Sequence, residues 1–335
     1  MALTTSAVVA PAVSNYFDRL LLVRARPKLF HAKVAQRRSM KQRNGNTIKF
    51  RRFEDLDIAD VPLVEGVTPT GQELSTTDVT AVMKQHGNYV PLTDIVQFTV
   101  ENPVLNEATT LLAENAADTI DVLHREEYVA GTSVQYGGTA AARSDLTTTT
   151  HKVTTALLDR IIRQLNNANA QMFTSIILGQ NRENTFPIRP AYWAIIHPDV
   201  LFTLENLTGF KSVEEYSSQS QVMDGEVGAY KNLRFLCTTL SKVYAGGGGS
   251  ASGDVKSTGG NADVYTILAF GKNAVGTVPF DGQSLKTIIK PLGSAGTADP
   301  LDQRATAGWK RYGTQVRLNE NFMVRGEVTA GNAAP

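Results

Sequence analysis

An enzyme would announce itself through a nucleophile beside a base, two converging carboxylates or a metal-ligand set, and these 335 residues offer little of that kind. The histidines are His31, His86, His124, His151 and His197, and no two are four apart, the spacing that puts two imidazoles on one helix face around a metal. The single thiol, Cys237, follows Leu233, Phe235 and Leu236, where an apolar strand favours a core sulfhydryl over a nucleophile. One cysteine also excludes an intrachain disulfide framework and any multi-cysteine zinc or iron–sulfur site. Glu126-Glu127 and Glu214-Glu215 are adjacent pairs, which diverge on regular secondary structure instead of meeting one substrate. Gly246–Gly249 has no helix-forming run behind it, as a dinucleotide fingerprint requires. Gly271-Lys272-Asn273 lacks the upstream glycine and following Ser/Thr of a phosphate loop, and there is no Gly-x-Ser-x-Gly elbow. Glu107, Glu114, Asp118 and Asp121 recur at helical spacing without a converging partner, a poor cage for a divalent ion. The expectation is a non-enzyme with no catalytic residue, no cofactor and no metal.

Charge is the more informative chemistry. Lys+Arg number 33 and Asp+Glu 32, a formal net charge of +1. Yet Arg19 to Arg52 holds twelve basic residues and no acid, among them Arg19, Arg24, Arg26, Lys28, Arg37, Arg38, Lys41, Arg43, Arg51 and Arg52. That leaves 21 basic residues against all 32 acids, so a +12 arm is joined to a body at −11. Such an arm can bind its own body, the body of another copy, or a polyanion, with attraction reaching about 8–10 Å in physiological salt. Nucleic acid is the less favoured receiver, because the body would repel the same phosphates.

The elements must position that charge. With 42% hydrophobic residues the chain can bury a sizeable core, in about two domains. No stretch approaches the roughly 18 uncharged apolar residues of a membrane helix. Met1 to Val13 is small and apolar without a basic start, which predicts a tail and not a secretory signal. A short helix is expected over 15–26, stopped by Pro27, and a turn at Asn44-Gly45. Alternation over 47–53 and 77–86, around a stretch with Pro62, Gly66, Pro69 and Gly71, predicts a hairpin from about 47 to 90. Fifteen residues per strand would reach roughly 50 Å, against a radius of gyration near 20 Å for a compact chain of this length. A two-stranded ribbon is marginal alone, so it must lie on something large, another subunit being a natural candidate.

After Asn102-Pro103 a helix is predicted over 104–129, close to 40 Å long at about 1.5 Å per residue. Leu105, Leu112, Ala116, Ile120 and Leu123 fall on one side, and Glu107, Glu114, Asp118 and Asp121 form an acidic stripe opposite, a solvated face or a receiver for a neighbour's basic arm. A second helix is predicted over 152–166 through Val153, Leu157, Ile161 and Leu165, and a short one after His197-Pro198-Asp199. Strands are expected at 175–178, 192–196, 233–238, 264–270, 284–290, 315–318 and 323–329, and residues 245–262 read as a flexible glycine-rich insertion.

The order of these elements (basic arm, long hairpin, long helix, mixed body, last strand) resembles the major capsid proteins of tailed bacteriophages with the Hong Kong 97-like (Johnson) α+β fold. The runs NYFDRLLLVRARPKLFHAKVAQRR (15–38), RNGNTIKFRRFEDL (43–56), LVEGVTPTGQELS (63–75), YVPLTDIVQFTVENPVL (89–105), AIIHPDV (194–200), GEVGAYKNLRFLCT (225–238) and GWKRYG (308–313) resemble the capsid family typified by the phage called N-four. The likeness spans about residues 15–325.

The resemblance implies an N-arm (1–46), an extended E-loop hairpin (47–92), a peripheral domain (93–145 with 301–329) built on a spine helix, an axial domain (146–300) and a C-terminal tail (330–335). It implies copies that tile as hexamers and pentamers into an icosahedral shell around double-stranded DNA, in a virion assembled in the bacterial cytoplasm. The partners implied are other copies, a separate scaffolding protein, a portal, a possible decoration protein and weakly held DNA, with no membrane. Intersubunit contacts are expected from the arm (Arg19, Arg24, Arg26, Lys28, Arg37, Arg38, Lys41, Arg43), from the hairpin (Arg51, Arg52, Glu65, Gly66, Pro69, Gly71) and from the acidic spine face. The alternatives are an encapsulin-type shell protein of the same fold and a basic-arm protein that condenses nucleic acid.

Overall fold

The computed structural model describes residues 30–41, 43–63, 65–68, 70–94, 104–178, 182–216, 222–282, 284–294 and 299–331, with the backbone alone at 104–107, 175–178 and 182–189. The expected helix over 15–26 and the arm residues Arg19, Arg24, Arg26 and Lys28 lie outside the described residues, as do Pro69 and the side chain of Glu107.

Two sheets organise the chain. The first has five strands around the long strand Arg304–Arg317. That strand pairs antiparallel with Lys84–Thr93, Lys286–Lys290 and Val275–Pro279, and Gln36–Arg37 adds a parallel strand beyond Val275–Pro279. The spine helix, Val104–Val129, lies on one face, where Leu112, Ala113 and Ala116 meet Ala307 and Trp309. Alanines on the facing turns let helix and sheet approach closely. Trp309 spends its only donor on Asn115 Oδ1, 3.1 Å away, so its indole is buried without an orphan N–H.

The second sheet has nine strands, with Val264–Phe270 near its centre between Arg182–Ile196 and Met323–Thr329. VYTILAF is buried at all seven positions, covered on both faces, which is why it reads as a continuous apolar run instead of an alternation. Helix Thr155–Asn167 covers one face through Leu157, Leu158, Ile161 and Leu165, and Thr154 caps it by accepting from the Leu157 N–H. Helix Pro198–Glu205 starts on Pro198, with His197 Nδ1 accepting from the Asp199 N–H.

Four expectations change. The hairpin is shorter than 47–90: Thr47–Phe53 pairs with Thr76–Val82, seven residues a side, or about 23 Å. Met83 N–H closes it on the Asn46 carbonyl, and the chain then enters the five-stranded sheet as Lys84–Thr93, because Val90 and Leu92 turn towards the spine helix. The grouping of strands also differs from the regions 93–145, 146–300 and 301–329. Val275–Pro279 and Lys286–Lys290 join the sheet under the spine helix, while Met323–Thr329 joins the nine-stranded sheet.

The stretch 245–262 is no flexible insertion. Gly248 N–H donates to the Ala262 carbonyl and Gly249 N–H to that of Leu146, while Val255 and Ala262 are buried. A Cβ on Gly248 would stand 2.3 Å from the Leu146 oxygen, so these glycines serve close packing. Lys256 of the same loop is tied to Asp199 at 2.6 Å. Finally, Asp121 does not lie on an open stripe. It is fully buried, because the arm helix Phe30–Lys33 crosses the spine helix there.

Candidate assembly surface

The hairpin is held by its own cross-strand contacts. Ile48 opposite Ala81 and Phe50 opposite Val79 make one apolar face. On the other, Arg51 grips Asp78 with two bonds of 2.8 and 2.9 Å, which holds the Asp78 carboxyl below its ordinary range. Arg52 donates to Glu54 at 2.8 Å and Thr77 Oγ1 donates to the same oxygen at 2.5 Å, lowering the Glu54 pKa through those bonds. The expected hairpin cations Arg51 and Arg52 are therefore partnered within the chain.

The tip differs in kind. Between the two strands the described residues 55–75 are all exposed, Glu65, Gly66 and Gly71 included. Gly66 takes a φ of +81° in a turn, which a side chain would strain. Leu56, Ile58, Val61, Leu63, Val67 and Leu74 each stand 55–88% exposed, a concentration of solvent-facing apolar side chains in one loop. Isolated exposed leucines need no explanation, but a cluster of this kind marks a contact surface.

The arm, by contrast, has a seat in its own chain from residue 30 onwards. His31 is fully buried: its backbone N–H donates to Asp121 Oδ1 at 2.9 Å, and Nδ1 lies 2.6 Å from Oδ2. Val34 and Met40 are buried, and Arg38 and Met40 N–H groups donate to the carbonyls of Thr277 and Pro279. The side chains of Arg37, Arg38, Lys41 and Arg43 nevertheless face solvent. Glu114 and Asp118 are half-buried on the spine helix.

Under the arm the sequence hides a polar cluster. His124 is buried with Nδ1 2.7 Å from the Ile120 carbonyl, so that nitrogen carries the proton and Nε2 accepts from Thr277 Oγ1 at 3.1 Å. Burial pushes its pKa down to about 3, and that of the nearby buried Arg311 down to about 10. Neither residue stands out from the sequence, since their burial depends on the arm and the long strand meeting over the spine helix. Cys237 is half-buried with its thiol pushed up to about 11 by burial, the wrong direction for a nucleophile. Among the described residues no cluster of three or more metal-ligating side chains occurs, and no helix is long and apolar enough to cross a membrane.

Comparison with known proteins agrees with this architecture. The family model described as phage capsid protein matches residues 76–325. Solved structures of similar fold include the capsid of Ralstonia phage GP4 (12% identity, 90% of this chain and 88% of that one, TM-score 0.64). Others are the cyanophage Pam1 capsid (15% identity, 91% and 94%, TM-score 0.59) and the head of Helicobacter pylori bacteriophage KHP40 (11% identity, 90% of each chain, TM-score 0.57). No curated protein matches. At such identities the structures speak for the fold alone, the Hong Kong 97-like α+β arrangement. The family model spans well over half of the sequence and leads to one conclusion: the chain belongs to the phage capsid protein family.

Proposed function

We propose that copies of this chain tile as hexamers and pentamers into the shell of a tailed bacteriophage around double-stranded DNA, and that each copy lends its hairpin to a neighbour. The exposed apolar tip carries this reading. A subunit that keeps Leu56, Ile58, Val61 and Leu63 in water is incomplete by itself. Burial of about 1,000 Å² of apolar surface per copy contributes roughly 25 kcal/mol gross before ordering costs. In this reading residues 1–46 act as N-arm, the hairpin and its tip as E-loop, the five-stranded sheet with the spine helix as peripheral domain, and the nine-stranded sheet as the core of the axial domain. A separate scaffolding protein, a portal and a possible decoration protein complete the assembly in the bacterial cytoplasm. Arg37, Arg38, Lys41 and Arg43, with solvent-facing side chains, suit contacts to acidic surfaces of adjacent copies.

The test is a deletion. Replacing residues 56–74 with a short Gly-Ser turn is expected to leave a folded chain that forms no closed shells by electron microscopy. Full-sized shells from that variant would refute hairpin lending.

A further inference from the structure

We propose that Asn44 is a self-modification site: in the free subunit the Gly45 nitrogen displaces the Asn44 side-chain amide, and the aspartate or isoaspartate that results disfavours entry of that subunit into a shell. The chemistry stands apart from the hairpin-lending reading, and only its effect on assembly rests on it. Asn44-Gly45 is the one Asn-Gly step in the sequence. Residues 43–47 are exposed, and among the described residues nothing accepts from the Gly45 N–H. Gly45 takes a φ of +82° with nothing within 4 Å of where a Cβ would stand, so the turn has room for a five-membered ring, and glycine has no side chain to hinder attack.

Neighbouring steps of related type are held. At Asp224-Gly225 the glycine packs against Phe30, whose ring would stand 2.4 Å from a Cβ there. At Asp281-Gly282 the Asp281 N–H donates to the Met40 carbonyl. Asn46 precedes a β-branched residue, Thr47, which already pairs with Val82, and the Asn46 carbonyl accepts from the Met83 N–H. The reaction at Asn44 needs only water. The Gly45 nitrogen bonds to the Asn44 Cγ, its proton passing through solvent to the leaving amide, which departs as ammonia. Water then opens the cyclic imide. Cleavage at one carbonyl leaves aspartate in an ordinary main chain, and cleavage at the other routes the main chain through Cβ as isoaspartate.

The position of the turn gives the change a consequence. On one side Met40 is fixed to the five-stranded sheet, donating to the Pro279 carbonyl and accepting from the Asp281 N–H. On the other, Asn46 is fixed to Met83 at the base of the hairpin. Residues 41–45 thus tie the root of the arm to the hairpin. Isoaspartate lengthens the main chain of that tie by a methylene group, which alters how the hairpin leaves the body. Either product also places a carboxylate beside Arg43, inside the run from Arg19 to Arg52 that otherwise has no acid. A hairpin that must meet a neighbour in one orientation is sensitive to both.

Peptide mapping of the full chain tests the chemistry. Unassembled subunit is held at physiological temperature in water enriched in heavy oxygen, which marks conversion that precedes digestion, and is then cut after lysine to release residues 42–49. Label is expected at position 44 and not at Asn46, and the Asn44→Gln chain should take up none there. An unlabelled Asn44 in the subunit, under conditions in which a synthetic peptide of residues 42–49 is labelled, overturns the proposal. Assembly is read on the same samples. Shells formed from aged subunits should hold about fivefold less converted Asn44 than the subunits left behind, the bias that one lost contact produces. Aged Asn44→Gln subunits should assemble as fresh ones do. Equal conversion in shells and in the remainder overturns the effect on assembly. The two readings fail separately: shells without loop 56–74 refute lending, whereas labelling at Asn44 is read from the mass of a peptide whether or not shells form.

Discussion

His31 and Asp121 show how much one buried carboxylate can order. Asp121 accepts from both the main chain and the ring of His31, so removing its charge should release the arm at its root. Asp121→Asn keeps the shape but leaves one donor facing a donor. It is expected to cost about 2–4 kcal/mol of stability, because a buried partner is left unsatisfied. Trypsin should then cut at Arg37 and Arg38 faster than in the parent chain, and unchanged cleavage would show that the pairing of Gln36–Met40 with the sheet suffices alone. His124 adds a pH dependence of definite sign. Its folded pKa, about 3, lies below the ordinary 6.5, so the unfolded chain binds the extra proton first. The stability it confers is complete above about pH 6.5 and falls as pH drops towards 3, by up to a few kcal/mol. The groups facing it are His31 across the arm contact, the Ile120 carbonyl, Thr277, Tyr128 and Arg311, and the Arg311 charge works in the same direction. His124→Gln should flatten the denaturation profile across that window; a profile as steep as the parent's would assign the acid sensitivity to other groups.

The glycine-rich stretch is the element whose composition misleads most. Gly, Ser and Ala describe a flexible linker, but they equally describe a loop that must pass within van der Waals contact of other backbone, and only tertiary contacts distinguish the two. Gly248→Ala is expected to lose more than about 2 kcal/mol in thermal or urea unfolding, as overpacked core positions do. Gly71→Ala, with nothing within 4 Å of its Cβ, should stay within about 0.5 kcal/mol of the parent. Equal, small effects would return the stretch to linker status.

The same contrast explains what else the sequence discloses. Val264–Phe270 is legible to the residue as an apolar run, the last strand is expected at its observed bounds of Met323–Thr329 although Arg325, Gly326 and Glu327 interrupt it, and Thr155–Asn167 is legible by its 3.6-residue spacing. The long strand shows only its last residues, because Gly308 and Gly313 and the Lys310 and Arg311 between them break the alternation. Which sheet a strand joins is invisible, since pairing of Arg304–Arg317 with Lys84–Thr93 links residues more than two hundred positions apart. At the assembly surface the tip is legible as a loop, and its six acids are legible too, but summing them into the whole body conceals where they concentrate. The burial of Asp121 has no local signal at all.

At the scale of the molecule, the charge distribution has three parts. The arm 19–52 carries +12, the loop 54–75 carries −6, and the remainder is left with 21 bases against 26 acids, or −5. A molecule near neutral overall thus presents a positive and a negative pole on consecutive segments, which favours head-to-tail contact between copies over random aggregation. Electrostatic attraction mainly speeds encounter and sets orientation, whereas buried apolar surface governs how long a contact lasts. Raising ionic strength from about 0.05 to 1 M shortens the Debye length from more than 10 Å to about 3 Å. Shell assembly followed by light scattering should therefore slow markedly over that range. Shells already formed should persist at high salt, because the tip leucines and isoleucine, once covered, are insensitive to screening. Prompt dissolution of formed shells in 1 M salt would mean that charge, and not the apolar tip, holds the subunits together.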